Sequence, residues 1–439
     1  MRSLPSFLSR LSLAACLLVL AAAPALAQGL NNYGTLYSRF GVGERLLFST
    51  SQTEAMGGAG VALRSFSYAS LDNPAAWGDI ALTHFTFGAS VTGTSVEAAD
   101  GTTSDLASGG LSTIQIAFPL RQQKLGLNIA YRPYSRVNYR AVQTESFLPS
   151  DGGGAIDYRI NYEGEGGLQE IQAGLGYRLS PNVLVGGSIN ALFGTVDYLQ
   201  RTEFPGSVGF VETRSTESVR VAGVTGTAGV IASVPRLLGE ADVLAFGATV
   251  RLPARLFGER ALTIGQSLDR DTLATETDGS LRLPMEVAAG ISYQPTRSLR
   301  LAVDTRYEPW GSQFESDFVL GGFTPGGETI LSDRFRVGGG LEWRPAGARR
   351  RAPYLSRVAY RLGGYVDNGY LAPEGTDLTT YAATAGLSLP ALIPTASFDL
   401  NVEVGQRGDA TGLLVRDTFV KASATINFGE RWFQRRRLD

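Results

Sequence analysis

Long segments in which apolar and polar residues alternate strictly constrain this chain more than any other feature of its sequence. In residues 398–404 (FDLNVEV) every second position is apolar, and residues 420–428 (VKASATINF) repeat the pattern. Because successive side chains of a β-strand point to opposite faces, this period of two predicts strands with one apolar and one polar face. Helical periodicity is scarce, and no run of 18 apolar residues follows residue 27, so no transmembrane helix is expected there.

The alternating segments are long and numerous enough to form a membrane barrel. We count fourteen, at residues 82–97, 110–120, 124–142, 167–179, 182–200, 217–234, 241–252, 280–294, 297–309, 331–344, 354–368, 378–389, 395–406 and 412–428. Connections after odd-numbered strands are mostly long, such as 253–279, whereas those after even-numbered strands are short, such as 180–181. This asymmetry is typical of outer-membrane barrels rather than of soluble sandwiches. We therefore predict an all-β fold, a fourteen-stranded antiparallel transmembrane β-barrel.

Aromatic residues near the predicted strand ends fit the two interfaces of a membrane. Those at the periplasmic ends are Tyr177, Tyr293, Trp343 and Phe428, and those at the outer ends are Tyr198, Tyr307, Trp310 and Tyr365. The last strand ends near Trp432 and Phe433, and residues 434–439 are predicted to form a periplasmic tail. We interpret the arginines of this tail as solvated rather than as a nucleic-acid-binding patch.

The N-terminus carries an export signal. Two arginines precede the apolar run 11–22, and the small-x-small sequence 25–27 follows it. This pattern predicts that residues 1–27 are a cleaved signal peptide and that the mature chain lies in a Gram-negative outer membrane. Two alternatives are a membrane anchor, which the short apolar run disfavours, and a lipoprotein processing site at Cys16, which the continuation of that run past the cysteine disfavours.

The composition excludes several kinds of site. The chain of 439 residues contains one His and one Cys, which argues against a His-ligated metal cluster or a disulfide scaffold. Its formal net charge of −2 argues against a basic nucleic-acid-binding protein. We expect no metal site, no cofactor and no nucleic-acid partner.

Residues 28–80 do not alternate, so they are not predicted to form barrel wall. They contain residues 54–62 (EAMGGAGVA) and residues 72–76 (DNPAA). The glycines resemble a phosphate-binding loop only weakly, because no Lys-Ser/Thr follows and no βαβ pattern surrounds them. A glycine run that lets two backbone segments approach closely is the favoured interpretation, and Asn73-Pro74 indicates a turn or a helix start.

The glycine motif, a short spacer and Asn-Pro-Ala just before the first strand resemble the outer-membrane long-chain fatty-acid transporter family, FadL and its relatives. The chain looks closest to divergent members from Bacteroidetes-type bacteria. The resemblance covers this motif, the strand count and the overall length. It implies that the N-terminal segment folds into the barrel as a hatch. The expected layout is a signal peptide at 1–27, a hatch at 28–80, a barrel at 81–433 and a tail at 434–439.

Two groups of candidate site residues follow. The hatch and ligand path comprises Phe40, Met56, Gly57, Gly58, Asn73 and Pro74, for which an ordinary plug core is the alternative. In Arg132-Pro133-Tyr134 of the third strand, the proline cannot donate a ladder hydrogen bond. The FadL family is described as having an inward kink in its third strand that opens the wall sideways. Arg132 and Pro133 are therefore the predicted lateral gap, with a harmless bulge as the alternative.

The leading functional hypothesis is passive transport of hydrophobic compounds, long-chain fatty acids or similar molecules, across the outer membrane. The alternative is a non-transporting scaffold or secretion-system component that binds a surface or secretion protein, and a general porin is a third possibility. The expected partners are outer-membrane lipid, hydrophobic small-molecule cargo and, for the alternative, that protein.

An enzyme is not expected. Only His84 offers an imidazole as a general base, and no G-x-S-x-G elbow accompanies it. Charges predicted to face the lumen, such as Arg251, Glu342 and Arg361, offer a site for a carboxylate but fit cross-strand ion pairs better.

Overall fold

A computed structural model describes residues 33–430, apart from 66–67, 149–153, 206–210, 267–268, 322, 324–328, 348, 350, 392–394 and 413. The predicted signal peptide and the predicted tail at 434–439 lie outside the described residues. The described chain consists mainly of strands that join into one sheet.

Fourteen antiparallel wall strands form a closed barrel, as the sequence predicts. They are β1 (Thr83–Ala98), β2 (Thr103–Arg121), β3 (Leu125–Pro133 and Ser135–Phe147), β4 (Ile156–Ser180), β5 (Val183–Glu203), β6 (Thr213–Pro235), β7 (Val243–Arg251 and Ala254–Gln266), β8 (Asp269–Leu283 and Glu286–Thr296), β9 (Leu299–Glu308), β10 (Arg334–Trp343), β11 (Ala359–Asp367), β12 (Thr380–Pro390), β13 (Ala396–Arg407) and β14 (Val415–Glu430). Each strand pairs with the next, and β14 pairs with β1 from Val415↔Ala98 to Glu430↔Thr83, which closes the barrel.

The alternation places apolar side chains on the outside and polar side chains on the inside. In β13, Val402 and Val404 are 47% and 50% exposed, whereas Asp399, Asn401 and Glu403 are only 1%, 2% and 6% exposed. This arrangement is the reverse of that in a soluble protein. It fits a barrel whose outer surface contacts lipid and whose lumen is polar.

The outer ends of β3 to β8 extend further than the sequence predicts. The predicted loop 253–279 is mostly a hairpin, in which the second part of β7 pairs with the first part of β8 from Ala254↔Leu283 to Gln266↔Asp269. The predicted loop 143–166 is likewise mostly strand, and the predicted loop 201–216 is strand at both of its ends. Charged outward residues such as Arg220 and Glu259, which pair at 3.3 Å, continue these strands. A search for apolar alternation therefore ends at the edge of the lipid-facing band.

Only some of the aromatic residues lie where the membrane interfaces require. Tyr177, Tyr307 and Trp343 are exposed on the outer surface. The prediction is wrong for Trp310, which is 1% exposed inside the barrel. It is also wrong for Tyr365, whose hydroxyl donates to Glu403 in the lumen.

The short elements lie in the N-terminal segment and the loops. In the described residues they are the 3-10 helices Leu36–Arg39, Pro74–Asp79 and Pro373–Gly375, the α-helices Ser51–Glu54, Trp310–Gln313 and Tyr354–Arg357, and the two-residue strands Glu44–Arg45 and Glu315–Ser316. None of the described helices is both long enough and apolar enough to cross a bilayer.

The largest apolar core closes the lumen towards the outer side. Side chains from β4 to β8 pack there against the connections that follow β9 and β11. Trp310 stacks on Phe314 at 5.6 Å and lies 4.5 Å from the Tyr370 ring. We call this group the outer apolar cluster; its loop residues include Trp310, Phe314, Phe318, Leu320, Tyr370 and Leu378.

Candidate functional site

The N-terminal segment, residues 33–80, lies inside the barrel. Its 3-10 helix Pro74–Asp79 is buried throughout and contacts β3, β4, β5 and β6. Its α-helix Ser51–Glu54 contacts β12, β13 and β14 on another side of the lumen. The segment therefore reaches several sides of the wall rather than packing on one of them.

Glycines on the lumen side of the wall make room for this segment. A β-carbon at Gly176 would lie 2.5 Å from the amide nitrogen of Gly78 and 2.6 Å from the carbonyl oxygen of Pro74. A β-carbon at Gly340 would lie 2.7 Å from the Cα of Met56. We call the wall positions of this kind the glycine belt: Gly126, Gly176, Gly186, Gly229, Gly247, Gly338, Gly340 and Gly363. Any side chain at these positions would push the segment away from the wall.

The glycine motif of the N-terminal segment also makes close contact with the barrel wall. Gly57 and Gly58 have φ angles of +70° and +84°, which L-residues rarely adopt. A β-carbon at Gly57 would overlap the backbone of Gly364 and Gly339, and one at Gly58 would lie 3.0 Å from the Arg336 guanidinium. The motif brings two backbone segments together, which agrees with the interpretation favoured from the sequence.

Asn73 holds three stretches of backbone together. Its side-chain carbonyl accepts from the Ala75 amide at 3.0 Å and so caps the 3-10 helix that Pro74 begins. Its side-chain amide donates to the carbonyl oxygens of Val61 at 2.8 Å and Val230 at 3.1 Å. Because Asn73 is completely buried, losing these hydrogen bonds would leave unpaired polar groups in the lumen.

Charged groups attach the segment to the wall at several points. The Arg45 guanidinium donates to the Tyr134 carbonyl at 2.8 Å and pairs with Glu308 at 3.4 Å and Glu286 at 3.5 Å. Glu44 pairs with Arg407 of β13 at 2.6 Å. Burial disfavours the charged form of Glu44, but the adjacent Arg407 guanidinium outweighs it and holds the pKa of the Glu44 carboxyl below its ordinary value.

The carboxylate of Asp304 in β9 anchors the glycine motif directly. It accepts from the backbone amides of Gly60 at 2.6 Å and Val61 at 2.7 Å. Hydrogen bonds to a buried charged acceptor are among the stronger ones in proteins. Asp304 therefore fixes the end of the glycine motif against the wall.

Further lumen charges pair between strands, as predicted from their alternation. Arg251 of β7 contacts Glu170 of β4 at 2.8 Å, and Arg361 of β11 contacts Glu342 of β10 at 2.5 Å. His84 of β1 also lies on the lumen side and is 2% exposed.

The ladder between β2 and β3 is interrupted at the third-strand proline. It runs from Arg121↔Leu125 to Ile114↔Tyr131. Beyond this point, residues 103–113 of β2 pair with β1, and no pairing with β3 is present in the described residues. Arg132 and Pro133 end the first part of β3 at the interruption.

The second part of β3 pairs with the N-terminal segment instead of with β2. Glu44 and Arg45 pair with Arg136 and Ser135. The amide of Gly34 donates to the Asn138 carbonyl at 2.9 Å, further along the strand. These contacts satisfy backbone groups that the missing part of the β2 ladder would otherwise hold.

A cavity of about 140 Å³ lies beside the interruption. The N-terminal segment contributes Leu46, Leu47 and Phe48, and the edges of the interruption contribute Leu111 and Pro133. The remaining lining is largely polar or charged and includes Glu44, Arg45, Glu54, Arg136, Arg334, Arg336, Glu403, Arg407, Asp417 and Lys421. The cavity therefore has a mixed lining next to the interruption, where Ser108, Ser112 and Arg136 accompany the apolar residues, and a charged side across the lumen.

The structure brings only some of the predicted site residues to this cavity. Gly58 and Pro133 line it. Phe40 packs against the outer apolar cluster, where its carbonyl accepts from the Tyr370 hydroxyl at 3.0 Å. Met56 is 1% exposed in a small core with Ala59, Leu63 and Ala302.

The other predicted residues also lie away from the cavity. Asn73 and Pro74 contact the glycine belt. Arg132 pairs with Glu170 at 3.2 Å and donates to the Phe48 carbonyl at 3.2 Å.

Sequence reasoning missed Arg45 and the glycine belt, and it placed Asp304 in the lumen as a member of cross-strand ion pairs rather than as an acceptor for the glycine motif. A signal for the belt was present, because glycine inside a strand marks a place where another backbone approaches closely. Gly176 and Gly186 occupy inward positions of otherwise regular strands. The carboxylate partners of Arg45 and the amide partners of Asp304 lie more than 200 residues away in sequence, and no local pattern identifies them.

Comparisons with known proteins agree with this architecture. The family model BamG matches residues 10–439. No curated protein matches the chain by sequence.

Several solved structures share the fold at low sequence identity. The "CymD monoaromatic hydrocarbon channel" is 15% identical, with a TM-score of 0.57 over 89% of this chain and 100% of that one. The Ralstonia pickettii toluene transporter TbuX is 16% identical, with a TM-score of 0.55 over 86% of this chain and 97% of that one. A Pseudomonas aeruginosa FadL homologue is 13% identical, with a TM-score of 0.55 over 88% of this chain and 99% of that one. These similarities establish a FadL-like barrel fold.

Proposed function

The chain belongs to the BamG family, and we propose that it is a passive channel for compact hydrophobic compounds in the outer membrane. The observation that carries the proposal is the interrupted β2–β3 ladder with a cavity directly beside it. An unpaired strand edge at lipid depth is costly unless it lines an opening or is covered. An opening at this point would give an apolar molecule a sideways path into the bilayer.

In this proposal the N-terminal segment is the hatch, and Arg132 and Pro133 mark the lateral gap. The segment pairs with the inward edge of β3 through Glu44 and Arg45. It also supplies Leu46, Leu47 and Phe48 to the cavity wall. A small displacement of this stretch would therefore change both the size of the cavity and its access to the gap.

The cavity volume indicates the class of cargo. An engineered apolar cavity of about 150 Å³ binds benzene, so about 140 Å³ accommodates roughly one aromatic ring. Two structural neighbours are described as a monoaromatic hydrocarbon channel and a toluene transporter, which supports a cargo of this size. A long-chain fatty acid would require the hatch to move further. The assignment to Bacteroidetes-type bacteria stays a prediction.

Replacing Pro133 with Val tests the gap. Valine supplies the amide that proline lacks, so β3 would be able to extend its ladder with β2 and close the opening. We expect toluene uptake into proteoliposomes to fall while the barrel stays folded, as judged by heat-modifiable migration on gels. Pro119→Val is the matched control, because Pro119 already lies within the paired β2–β3 ladder. Unchanged uptake by the Pro133 variant would contradict the proposal.

One observation favours the alternative, a scaffold that binds a surface or secretion protein. The outer extension of β3 to β5 carries Phe147, Tyr158 and Phe204, whose neighbouring ring centroids lie 6.1 Å apart. Phe147 is 38% exposed and the other two rings are half-buried, and exposed aromatic groups are typical of protein contacts. Native mass spectrometry separates the two functions: a retained single-ring compound supports the channel, and an empty barrel with a stoichiometric protein partner supports the scaffold.

A further inference from the structure

Four arginines gather on two adjacent periplasmic turns without a carboxylate partner. They are Arg297 in the turn between β8 and β9, and Arg349, Arg351 and Arg357 in the connection between β10 and β11. The turns touch, because the Arg344 amide donates to the Ser298 carbonyl at 2.8 Å. Among the described residues, none of the four forms an ion pair. We call them the periplasmic arginine cluster.

Arginines at the outer end of the barrel behave differently. Arg201 pairs with Glu212 at 3.1 Å, Arg220 with Glu259 at 3.3 Å and Arg416 with Glu97 at 3.3 Å. These three outer arginines are therefore balanced within the chain. The periplasmic arginine cluster instead forms a positively charged surface, which an anion from outside the chain would neutralise.

The position of the cluster identifies where that anion lies. Trp343 and Tyr360 lie at the periplasmic ends of β10 and β11, with ring centroids 5.7 Å apart, and Trp343 is 50% exposed on the lipid-facing surface. Aromatic residues at this level mark the membrane interface. The Tyr360 hydroxyl donates to the Leu355 carbonyl at 3.2 Å, which holds the helix Tyr354–Arg357 beside the interface.

Leu355 gives this helix an apolar contact with the bilayer. Its side chain is 66% exposed, which is favourable for a leucine that dips into a headgroup layer. Arg357, two residues further on, stays close to the helix, with its guanidinium 5.5 Å from the Tyr354 ring. An exposed leucine beside several arginines at a membrane interface matches the chemistry of a lipid with a phosphate headgroup.

We propose that the periplasmic arginine cluster, with Leu355, is a binding site for the headgroup of an anionic glycerophospholipid in the inner leaflet of the outer membrane. The arginines contact the phosphate, and Leu355 contacts the glycerol and acyl region. The site lies outside the lumen and does not depend on what the barrel transports. It fixes the depth of the β10–β11 wall, where the glycine belt receives Met56 and Gly57.

The test compares lipid retention by the full chain in nanodiscs that contain equal amounts of phosphatidylglycerol and phosphatidylcholine. Native mass spectrometry measures which lipids remain bound to the released protein. We expect preferential retention of phosphatidylglycerol. A triple variant, Arg349→Gln, Arg351→Gln and Arg357→Gln, should lose this preference, by roughly fivefold for each arginine removed.

Two further variants keep the test decisive. The control replaces Arg201, Arg220 and Arg416 with Gln, which removes the same charge from the outer end and should leave the preference unchanged. Leu355→Ser should lower retention of both lipids without changing their ratio. Equal retention of both lipids by the unmodified chain would overturn the proposal, as would equal losses in the two triple variants. Displacement of the lipid by a stoichiometric acidic protein would also overturn it.

Discussion

The two ends of the lumen are closed by different interactions. Towards the outer side, aromatic and aliphatic side chains of the loops pack against those of β4 to β8 in the outer apolar cluster. Towards the periplasm, the N-terminal segment meets the wall through backbone contacts at the glycine belt and through charged groups such as Asp79, which pairs with Arg178 of β4.

This difference predicts which closure responds to its surroundings. Apolar packing depends on buried area and shape and is insensitive to moderate salt. Partly exposed ion pairs weaken as ionic strength rises and as their acids become protonated. We therefore expect the charged contacts of the N-terminal segment to be adjustable and the packing of the outer apolar cluster to be more constant.

Truncating the centre of the outer apolar cluster should have the largest effect. Trp310 is 1% exposed, and replacing a buried Trp with Ala costs about 3–5 kcal/mol. Trp310→Ala should therefore speed amide hydrogen exchange in residues 310–320 while leaving residues 50–62 protected. Trp343→Ala, at a lipid-facing position, is the control. Equal loosening of both regions by the Trp310 variant would show that the two closures are a single unit.

Removing the carboxylate of Asp304 should loosen the contact between the N-terminal segment and the barrel wall. Asp304→Ala deletes both hydrogen bonds to the amides of Gly60 and Val61, and bonds to charged groups contribute about 1.5–3 kcal/mol. Exchange at those two amides should accelerate, while exchange around Trp310 stays as in the unmodified protein. Asp409→Ala serves as the control, since Asp409 is an exposed loop residue.

Filling one position of the glycine belt should have a somewhat smaller effect. Gly176→Val places a side chain against Pro74 and Gly78, and overpacking of this kind costs about 1–3 kcal/mol. We expect limited proteolysis to cut the N-terminal segment sooner than in the unmodified protein. Gly93→Val is matched to it, because nothing lies within 4 Å of a β-carbon at Gly93. Cleavage at the same rate in both variants would argue against a steric role for the belt.

The smallest predicted effect concerns acid and salt. Because the folded pKa of Glu44 is lowered, its pairing with Arg407 stabilises the closed segment above the unfolded pKa of about 4.3 and is lost as pH falls through the lower folded value. The contribution is about 1 kcal/mol or less. The protection factors of the amides of residues 44–46, which correct for the intrinsic pH dependence of exchange, should fall below pH 4.3 and in high salt, and Glu44→Gln should show the lower protection already at neutral pH. An identical acid response in this variant would assign the effect to another group.

The sequence predicted the barrel because the lipid-facing surface requires a simple repeating pattern. Every wall strand must place apolar residues outward, as Val402 and Val404 do, so local alternation is sufficient to find it. Beyond the lipid this requirement ends, which is why the β7–β8 hairpin was predicted as a loop. Trp310 was assigned to an interface because sequence alone does not show that its loop folds inward.

The candidate site was less predictable than the fold. The glycine motif and Asn73-Pro74 indicated close contacts and a helix start, but not the strands that they meet. Those partners depend on how the closed barrel surrounds the segment, as when Asp304 meets Gly60 across 244 positions of sequence. Pro133 was identified because proline has a specific effect on a strand ladder.

The most direct test of the account is to lock the interruption between β2 and β3. Gly110→Cys and Arg136→Cys place thiols on its two sides, where a β-carbon at Gly110 lies 3.4 Å from the Arg136 guanidinium. A short reducible crosslinker would then join the strands, and the pair Gly93→Cys and Ala107→Cys, which face each other in the intact β1–β2 ladder, is the control. The account predicts that crosslinking across the interruption abolishes toluene uptake and that reduction restores it. Normal uptake through the locked barrel would contradict the account.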